Sequence, residues 1–574
     1  MSVKLTENAI QILEDRYLLK DNEGSLVETA EELFKRVATF VASAEKKDQK
    51  IWEARFYKLM STLVFLPNSP TLMNAGVTNG QLSACFVLPV EDRLEAIFST
   101  LKDAALIHQS GGGTGFNFSK LRPKDDIISS SGGTSSGPIA FMKIYDAATE
   151  NVKQGGKRRG ANMGILNINH PDIEAFINSK SDKKELQNFN LSVGITDDFM
   201  EAVKHNLNWE LINPRTLKIE KIVKAKLLWD SIVKEAWKTG DPGLIFLDTI
   251  NKSNPTPKLG KIESTNPCGE VPLLPYESCN LGSINLSFML SKNGDDLEID
   301  WNKLAATIEL AIRFLDNIIT VNHYLLPKIK SIAQANRKIG LGVMGWAEML
   351  IQLKIPYASQ KAVHLGENVM QFIKEKSYEA SRNLAKEKGV FPSWENSIQN
   401  KILLRNATCN SIAPTGSISV IANTSYSIEP LFALAYKRTG ILGGKNQIEV
   451  NKLFKAKMKE LGFWNETFKR NVLKTGSIKE MKSIPETIRN CFETSLEIPW
   501  KYHLLHQKAF QKYTDNAVSK TVNLPEGTSA KDISEIYWTA WNYKLKGITV
   551  YRDGCREDQV LQKCNFNTIE NCDI

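Results

Sequence analysis

Residues Thr265 to Leu286 read TNPCGEVPLLPYESCNLGSINL, placing an amide, a thiol and a carboxylate on alternate positions, Asn266, Cys268 and Glu270, with a second thiol at Cys279. In an extended segment or tight loop tip, alternate side chains project the same way. The three groups can therefore face one small substrate. Pro267 and Gly269 supply a stiff, narrow backbone between them. A carboxylate beside a thiol suits a base paired with a sulfur reagent. On composition alone, a core cysteine in a Pro/Gly loop is the commoner outcome.

Upstream, SACFVLPV reads as a buried strand carrying Cys85, where a lone cysteine is ordinarily core. FLPNSPTLMNAG sets Ser69 and Thr71 about Pro70 in a turn-rich segment, whose plain reading is a surface turn. In HQSGGGTGFNFSKLR the backbone at Gly111 to Gly113 can approach a ligand closely, but no GK[ST] follows, so this is not a Walker loop. Asp92 and Arg122, taken singly, read as solvated charges. SSSGGTSSGPIAFMKIYD is a Gly/Ser loop opening a helix. VKQGGKRRGANMGIL carries Lys153, Gln154, Lys157 and Arg158 on a Gly-rich turn, either a polyanion patch or a mobile enzyme loop ahead of an apolar strand.

Residues 165 to 260 alternate strand and helix patterns, the scaffold of an α/β barrel. NKLAATIELAIRFLDNII is a strongly amphipathic helix. Gly340, Gly342 and Gly345 spell GxGxxG, but no clear strand precedes them and Glu367 lies in a helical pattern, so a dinucleotide fold is rejected. In NATCNSIAPTGSISVIANTSYSIEP, the hydroxyls and amides of Thr415, Gly416, Ser417 and Ser419 fall where a loop enters a helix. They suit a diphosphate, or a plain Ser/Thr-capped helix. Residues 445 to 490 are Lys-rich and helical in pattern, a solvated face.

With NPCGE and PYESCNLGSINL go APTGSIS and the closing KYTDNAVSKTVNLP and KGITVYRDGCR. Together they resemble the catalytic chain of ribonucleotide reductases, more narrowly the adenosylcobalamin-dependent class II type, from Leu5 to Arg556. The resemblance implies an α/β fold: a ten-stranded α/β barrel of two antiparallel five-stranded halves around a central finger loop. That barrel is expected over residues 61–556, after an N-terminal helical segment (1–60, with a Thr29/Glu32 capping box) and before a short tail (557–574). The extra N-terminal nucleotide-binding cone of some members has no room here, so no overall on/off site is expected.

The implied chemistry is reduction of ribonucleotides, as diphosphates, to 2′-deoxyribonucleotides. Adenosylcobalamin (cobalt) initiates it. Cys268 becomes a thiyl that removes the ribose 3′-hydrogen, Glu270 accepts the 3′-hydroxyl proton, Asn266 orients the sugar, and Cys85 with Cys279 ends as a disulfide. By the same resemblance, Ser69, Ala84, Cys85, Gly113, Asn266, Glu270, Pro414, Thr415, Gly416, Ser417 and Ile418 bind substrate, with Thr71 a weaker candidate. Asp92, Arg122, Lys153, Gln154 and Arg158 bind a dNTP or ATP specificity effector, with Gly132 to Pro138 as a first specificity loop. A thioredoxin-like protein or dithiol is the expected reductant, with Cys564 and Cys572 as candidate shuttles, and the expected state is a homodimer.

Three departures stand out. The usual SSGIEP is TSYSIEP here, which puts packing near Glu429 in question, and Cys555 stands where the family usually has Ser. Val550 precedes a single Tyr551 where reductases fed by a separate metal subunit carry adjacent tyrosines, which favours a cofactor bound within the chain. No DxHxxG is present, so no histidine ligand to cobalt is expected. The rival readings are a subunit whose radical comes from a separate metalloprotein, and a non-catalytic nucleotide-sensing barrel.

Composition agrees with an ordinary globular protein: 574 residues, 42% hydrophobic, 24% charged. The net charge of +9 reads as spread along the chain, favouring anionic ligands without identifying nucleic acid. No apolar signal core or membrane-length run appears, so a cytoplasmic location and no membrane partner are expected. Eight cysteines without CxxC spacing argue against a disulfide scaffold and a zinc site, and no protein metal-ligand set is expected.

Overall fold

The computed structural model describes residues 3–128, 132–152, 160–182, 184–398, 400–441, 445–555 and 561–562. Three helices open the chain, α1 (Glu7–Arg16), α2 (Ala30–Ala42) and α3 (Gln49–Ser61). The Thr29/Glu32 capping box forms as its spacing predicts, satisfying orphan amides at the start of α2. The apolar stripe of α2, Leu33, Val37 and Val41, is buried in one core with Phe314 and Leu315.

Nine strands follow that build a ring: β1 (Cys85–Val87), β2 (Gly113–Asn117), β3 (Asn162–Asn167), β4 (Phe189–Ile195), β5 (Gly243–Phe246), β6 (Ser278–Asn285), β7 (Ile339–Met344), β8 (Thr521–Leu524) and β9 (Gly547–Arg552). Helices α4 (Leu94–Gln109), α5 (Gly137–Asn151), α6 (Ala225–Thr239), α7 (Trp301–Val321) and α8 (Gln360–Lys388) lie in the crossovers between them. Strands β1 to β5 run parallel, pairing in chain order. In the other half β6 is parallel to β7 and β8 to β9. Antiparallel seams join the halves, β1 against β6 and β5 against β9.

The tenth position is not a regular strand. Residues 408–412 fill it through two isolated parallel bridges, Leu341 to Asn410 and Ile412 to Val518. The physical reason is Asp515, whose Oδ2 accepts from the amides of Cys409 at 2.8 Å and Asn410 at 3.3 Å and so draws them out of a ladder. Gly340 and Gly342 of the GxGxxG lie inside β7, and a Cβ on Gly342 would sit 2.2 Å from the Ser411 carbonyl oxygen. Those glycines admit the tenth segment and bind no nucleotide turn.

FLPNSPTLMNAG is more regular than a turn. A strand, Phe65–Pro67, pairs with β6, and a six-residue helix, Ser69–Asn74, follows with Asn68 as its cap and Pro70 in its first turn. Nor is the charge evenly spread. Residues 449–482 hold nine Lys and Arg against four Glu, and this stretch packs on a satellite core around Phe454, Met458 and Leu473. The basic excess therefore lies outside the walls of both cavities described below. No described helix is long and apolar enough to cross a membrane.

Candidate active site

The finger loop is a hairpin in the barrel: Ser264–Thr265 pairs antiparallel with Pro272–Leu273, and residues 266–271 form its tip. It fits because β2 carries glycines where it passes. A Cβ on Gly115 would lie 1.7 Å from the Thr265 carbonyl oxygen, and one on Gly113 would lie 2.9 Å from Pro267 Cγ. The tip closes on itself, with the Val271 amide donating to Asn266 Oδ1 at 3.0 Å and the Gly269 amide to the Asn266 carbonyl at 3.1 Å. Gly269 takes φ +81°, a left-handed value that glycine adopts without strain. From outside, Asn190 Nδ2 of β4 holds the Pro267 carbonyl at 2.8 Å. Ser411 Oγ and the Ala517 amide both hold the Glu270 carbonyl at 2.8 Å.

This frame fixes Asn266 and Glu270 in buried positions and leaves Cys268 exposed at the tip. The exposed thiol lies where two cavities meet. One, of 270 Å³, is lined by all eleven residues expected to bind substrate, from Ser69 to Ile418. The other, of 310 Å³, shares Pro267, Cys268 and Pro414 with the first and is otherwise walled by β4, β5, β8, β9 and their flanks, Tyr551 included.

Cys85 and Cys279 are direct cross-strand partners at the β1/β6 seam, and both are free thiols. Residues opposed in an antiparallel pair have Cα atoms about 4.5–5.5 Å apart, within the about 4.4–6.8 Å that a disulfide spans. Asn266 Nδ2 donates to Cys85 Sγ at 3.1 Å, tying the pair to the hairpin. Burial pushes both thiols well above the usual range, and the nearby Glu270 carboxyl raises them further. Burial likewise pushes Glu270 up to about 7, against a hydrogen bond from Asn266 that lowers it. Its Oε2 is buried without a partner, an acceptor held ready at a cavity wall.

Also on the first cavity's lining, residues 414–418 form a loop ahead of a single helical turn, Ile418–Ile421, shorter than the sequence suggests. None of the described hydrogen bonds is donated by the Gly416, Ser417 or Ile418 amides. Thr71 lies elsewhere, its hydroxyl spent on Asn68 Oδ1 at 2.7 Å and the Leu82 carbonyl at 3.1 Å. Asp92 and Arg122 bond each other at 2.8 Å beside the start of α4. Lys153, Gln154, Lys157 and Arg158 lie outside the described residues, as do Cys564 and Cys572.

The segment TSYSIEP borders both cavities. Glu429 accepts the Thr521 amide at 2.9 Å and pairs with the buried Lys520 of the second cavity's wall. The Ser427 amide donates to Thr415 Oγ1 at 2.8 Å, pinning the phosphate-type loop, but Ser427 pays for this with φ +42° and a buried hydroxyl that has no partner. Ser427→Gly should therefore raise stability by about 1 kcal/mol, since a side chain in left-handed backbone costs on that order. Thermal unfolding checks this, and a lowered midpoint would refute it.

Comparison with known proteins bears on this arrangement. The family model described as "Ribonucleotide reductase, barrel domain" matches residues 83–404 and 400–551, and "Ribonucleotide reductase, all-alpha domain" matches residues 3–80. The chain belongs to the ribonucleotide reductase family. Among curated relatives of this reductase, the "Vitamin B12-dependent ribonucleoside-diphosphate reductase" of Thermoplasma acidophilum is 49% identical over 97% of this chain and 80% of its own. The protein of the same name from Mycobacterium tuberculosis H37Rv is 48% identical over 97% of this chain and 79% of its own. A solved structure, the Actinobacillus ureae class Id ribonucleotide reductase alpha subunit, superposes with a TM-score of 0.79 over 96% of this chain and 97% of that one. At 24% identity that likeness speaks for the reductase fold alone.

Sequence reasoning missed three of the residues that hold this reductase site together: Asn190, Ser411 and Tyr17, the last of which bonds Ser69. Each acts across a long stretch of chain, and no local motif marks it.

Proposed function

We propose that the chain reduces ribonucleoside diphosphates to 2′-deoxyribonucleotides with adenosylcobalamin. The observation that carries the reading is the exposed Cys268 thiol between two cavities, the first of them also lined by Cys85 of a cross-strand thiol pair and by a buried carboxyl, Glu270, whose Oε2 has no partner. The 48% and 49% identity to relatives named vitamin B12-dependent supports the cofactor.

The second cavity's residues fit part of that cofactor. Asn190, Ser192 and Thr549 offer hydrogen-bonding groups beside Met163, Ile245 and Ile548. At 310 Å³ it lies near the small end of ligand pockets, about 300–1,000 Å³, and takes a nucleoside-sized group. When bound, adenosylcobalamin supplies homolytic cobalt–carbon chemistry that no side chain here performs.

The chain's own groups do the rest. Residues 415–418 and Ser69 hold the diphosphate, and Asn266 orients the ribose. Cys268 Sγ takes the 3′-hydrogen and returns it. Glu270 Oε2 takes the 3′-hydroxyl proton and gives it back as the 3′-hydroxyl is restored. Cys85 and Cys279 give up two electrons and two protons, so the 2′-hydroxyl leaves as water and the sulfurs join. An external dithiol then resets the pair. In an anaerobic assay with a ribonucleoside diphosphate, a dithiol and adenosylcobalamin, deoxynucleotide should form only when all three are present. Product made without cobalamin, once a metalloprotein subunit is added, would replace this reading.

Effector control and dimerisation belong to the same proposal. Beside the Asp92/Arg122 pair, α4 exposes Leu94, Phe98 and Leu106, and α5 exposes Ile144. Such an apolar face suits a second copy. Phe98→Glu should weaken self-association by at least ~30-fold, the scale of a buried aromatic anchor, and abolish the effect of dNTP on base preference. A dimer of unchanged affinity in sedimentation would sink the assignment.

A further inference from the structure

Tyr17 caps the end of α1, outside every candidate site motif above, and is 2% exposed. Its hydroxyl sits 2.8 Å from Ser69 Oγ, and Ser69 lines the cavity that also holds residues 415–418. Neither hydroxyl has another hydrogen-bond partner among the described bonds. The same N-terminal helix buries Ile12 and Leu13 in the apolar cluster that contains Ile418 and Ile421. Thus α1 and its cap residue reach two of the segments that line the cavity.

We infer that Tyr17 is a positioning residue for the substrate's phosphate end, acting through Ser69. The argument is a proton count and rests on the proposed diphosphate site. A phosphate oxygen only accepts, so Ser69 must donate its single proton to the ligand. Its remaining contact with Tyr17 must then be one in which Tyr17 donates. A phenol with no other acceptor in reach supplies that proton and fixes the serine rotor towards the cavity. Without it the hydroxyl is free to turn away, and binding falls while the chemistry at Cys268 is untouched. The helical segment is in this sense part of the substrate site.

The test uses the full chain with cofactor and reductant. Tyr17→Phe keeps the ring and removes one oxygen. KM for the ribonucleoside diphosphate should rise about 3- to 10-fold, the scale of one hydrogen bond, with kcat held within twofold. Ser69→Ala should raise KM by at least as much, and the double variant should match Ser69→Ala alone, because the two oxygens act as one unit. A merely structural tyrosine would lower the unfolding midpoint and leave KM alone, and that result overturns the inference. So does a KM effect that adds to that of Ser69→Ala. If Ser69→Ala itself leaves KM unchanged, the phosphate reading of the cavity fails instead, and the two failures are distinct.

Discussion

Cys268→Ala should give a folded chain with no detectable deoxynucleotide, a loss of at least ~10⁴-fold, because in the proposed chemistry the group removed makes and breaks the bond and nothing substitutes for it. Stability should hardly change. The thiol is exposed at the tip, and the hairpin is held through the Pro267 carbonyl, the Glu270 carbonyl and the Asn266 side chain instead. Substitutions at such surfaces usually stay within about 0.5 kcal/mol. A variant that unfolds at the wild-type temperature yet forms product at any measurable rate would end the assignment of Cys268.

The second large effect concerns Glu270. Burial lifts its carboxyl to about 7, so the free protein holds that proton across the range where an unfolded chain has lost it. The native state then binds more protons than the unfolded one, and stability falls with rising pH over that interval. The contribution is full below the unfolded value near 4.5 and gone once pH passes about 7. A shift of this size corresponds to roughly 3 kcal/mol.

Glu270→Gln should therefore be more stable than the wild type at pH 8 by up to roughly 3 kcal/mol, and nearly equal to it at pH 4. The same change should lower kcat by about 10²–10⁴, the usual worth of a positioned base. In the wild type, kcat/KM should climb through an apparent midpoint near 7, reporting ionisation of the free enzyme's base. A flat profile from pH 5.5 to 8.5, or a glutamine variant with full activity, would remove Glu270 from that role. Gain of stability with loss of turnover in one substitution is what a site that stores desolvation energy predicts.

The three candidate residues of the hairpin tip were legible because they are local. Alternation in NPCGE puts Asn266, Cys268 and Glu270 within one hairpin tip, and the structure keeps them there. The barrel was legible at the level of strand and helix patterns, as in the β5 strand GLIF and the α7 stripe. Three things were not. The tenth position of the ring is irregular because Asp515, over a hundred residues away, takes the amides a ladder would use. The GxGxxG glycines and those of β2 answer to backbone passing close by, which no local pattern encodes. Asn190 and Tyr17 matter through one side-chain atom each, and their partners lie 77 and 52 residues away. Local chemistry survives in sequence, whereas pairwise reach appears only once the chain has folded.

The place of Cys85 and Cys279 carries one more consequence. They face each other across β1 and β6, the antiparallel junction where the first parallel half of the ring meets the second. An oxidised pair would rivet those halves together, and a reduced one would leave only main-chain bonds there. In the proposed cycle the redox condition of two sulfur atoms would set how stiffly the cylinder is fastened at one edge, and amide exchange along that edge should tick between slow and fast with each round of reduction.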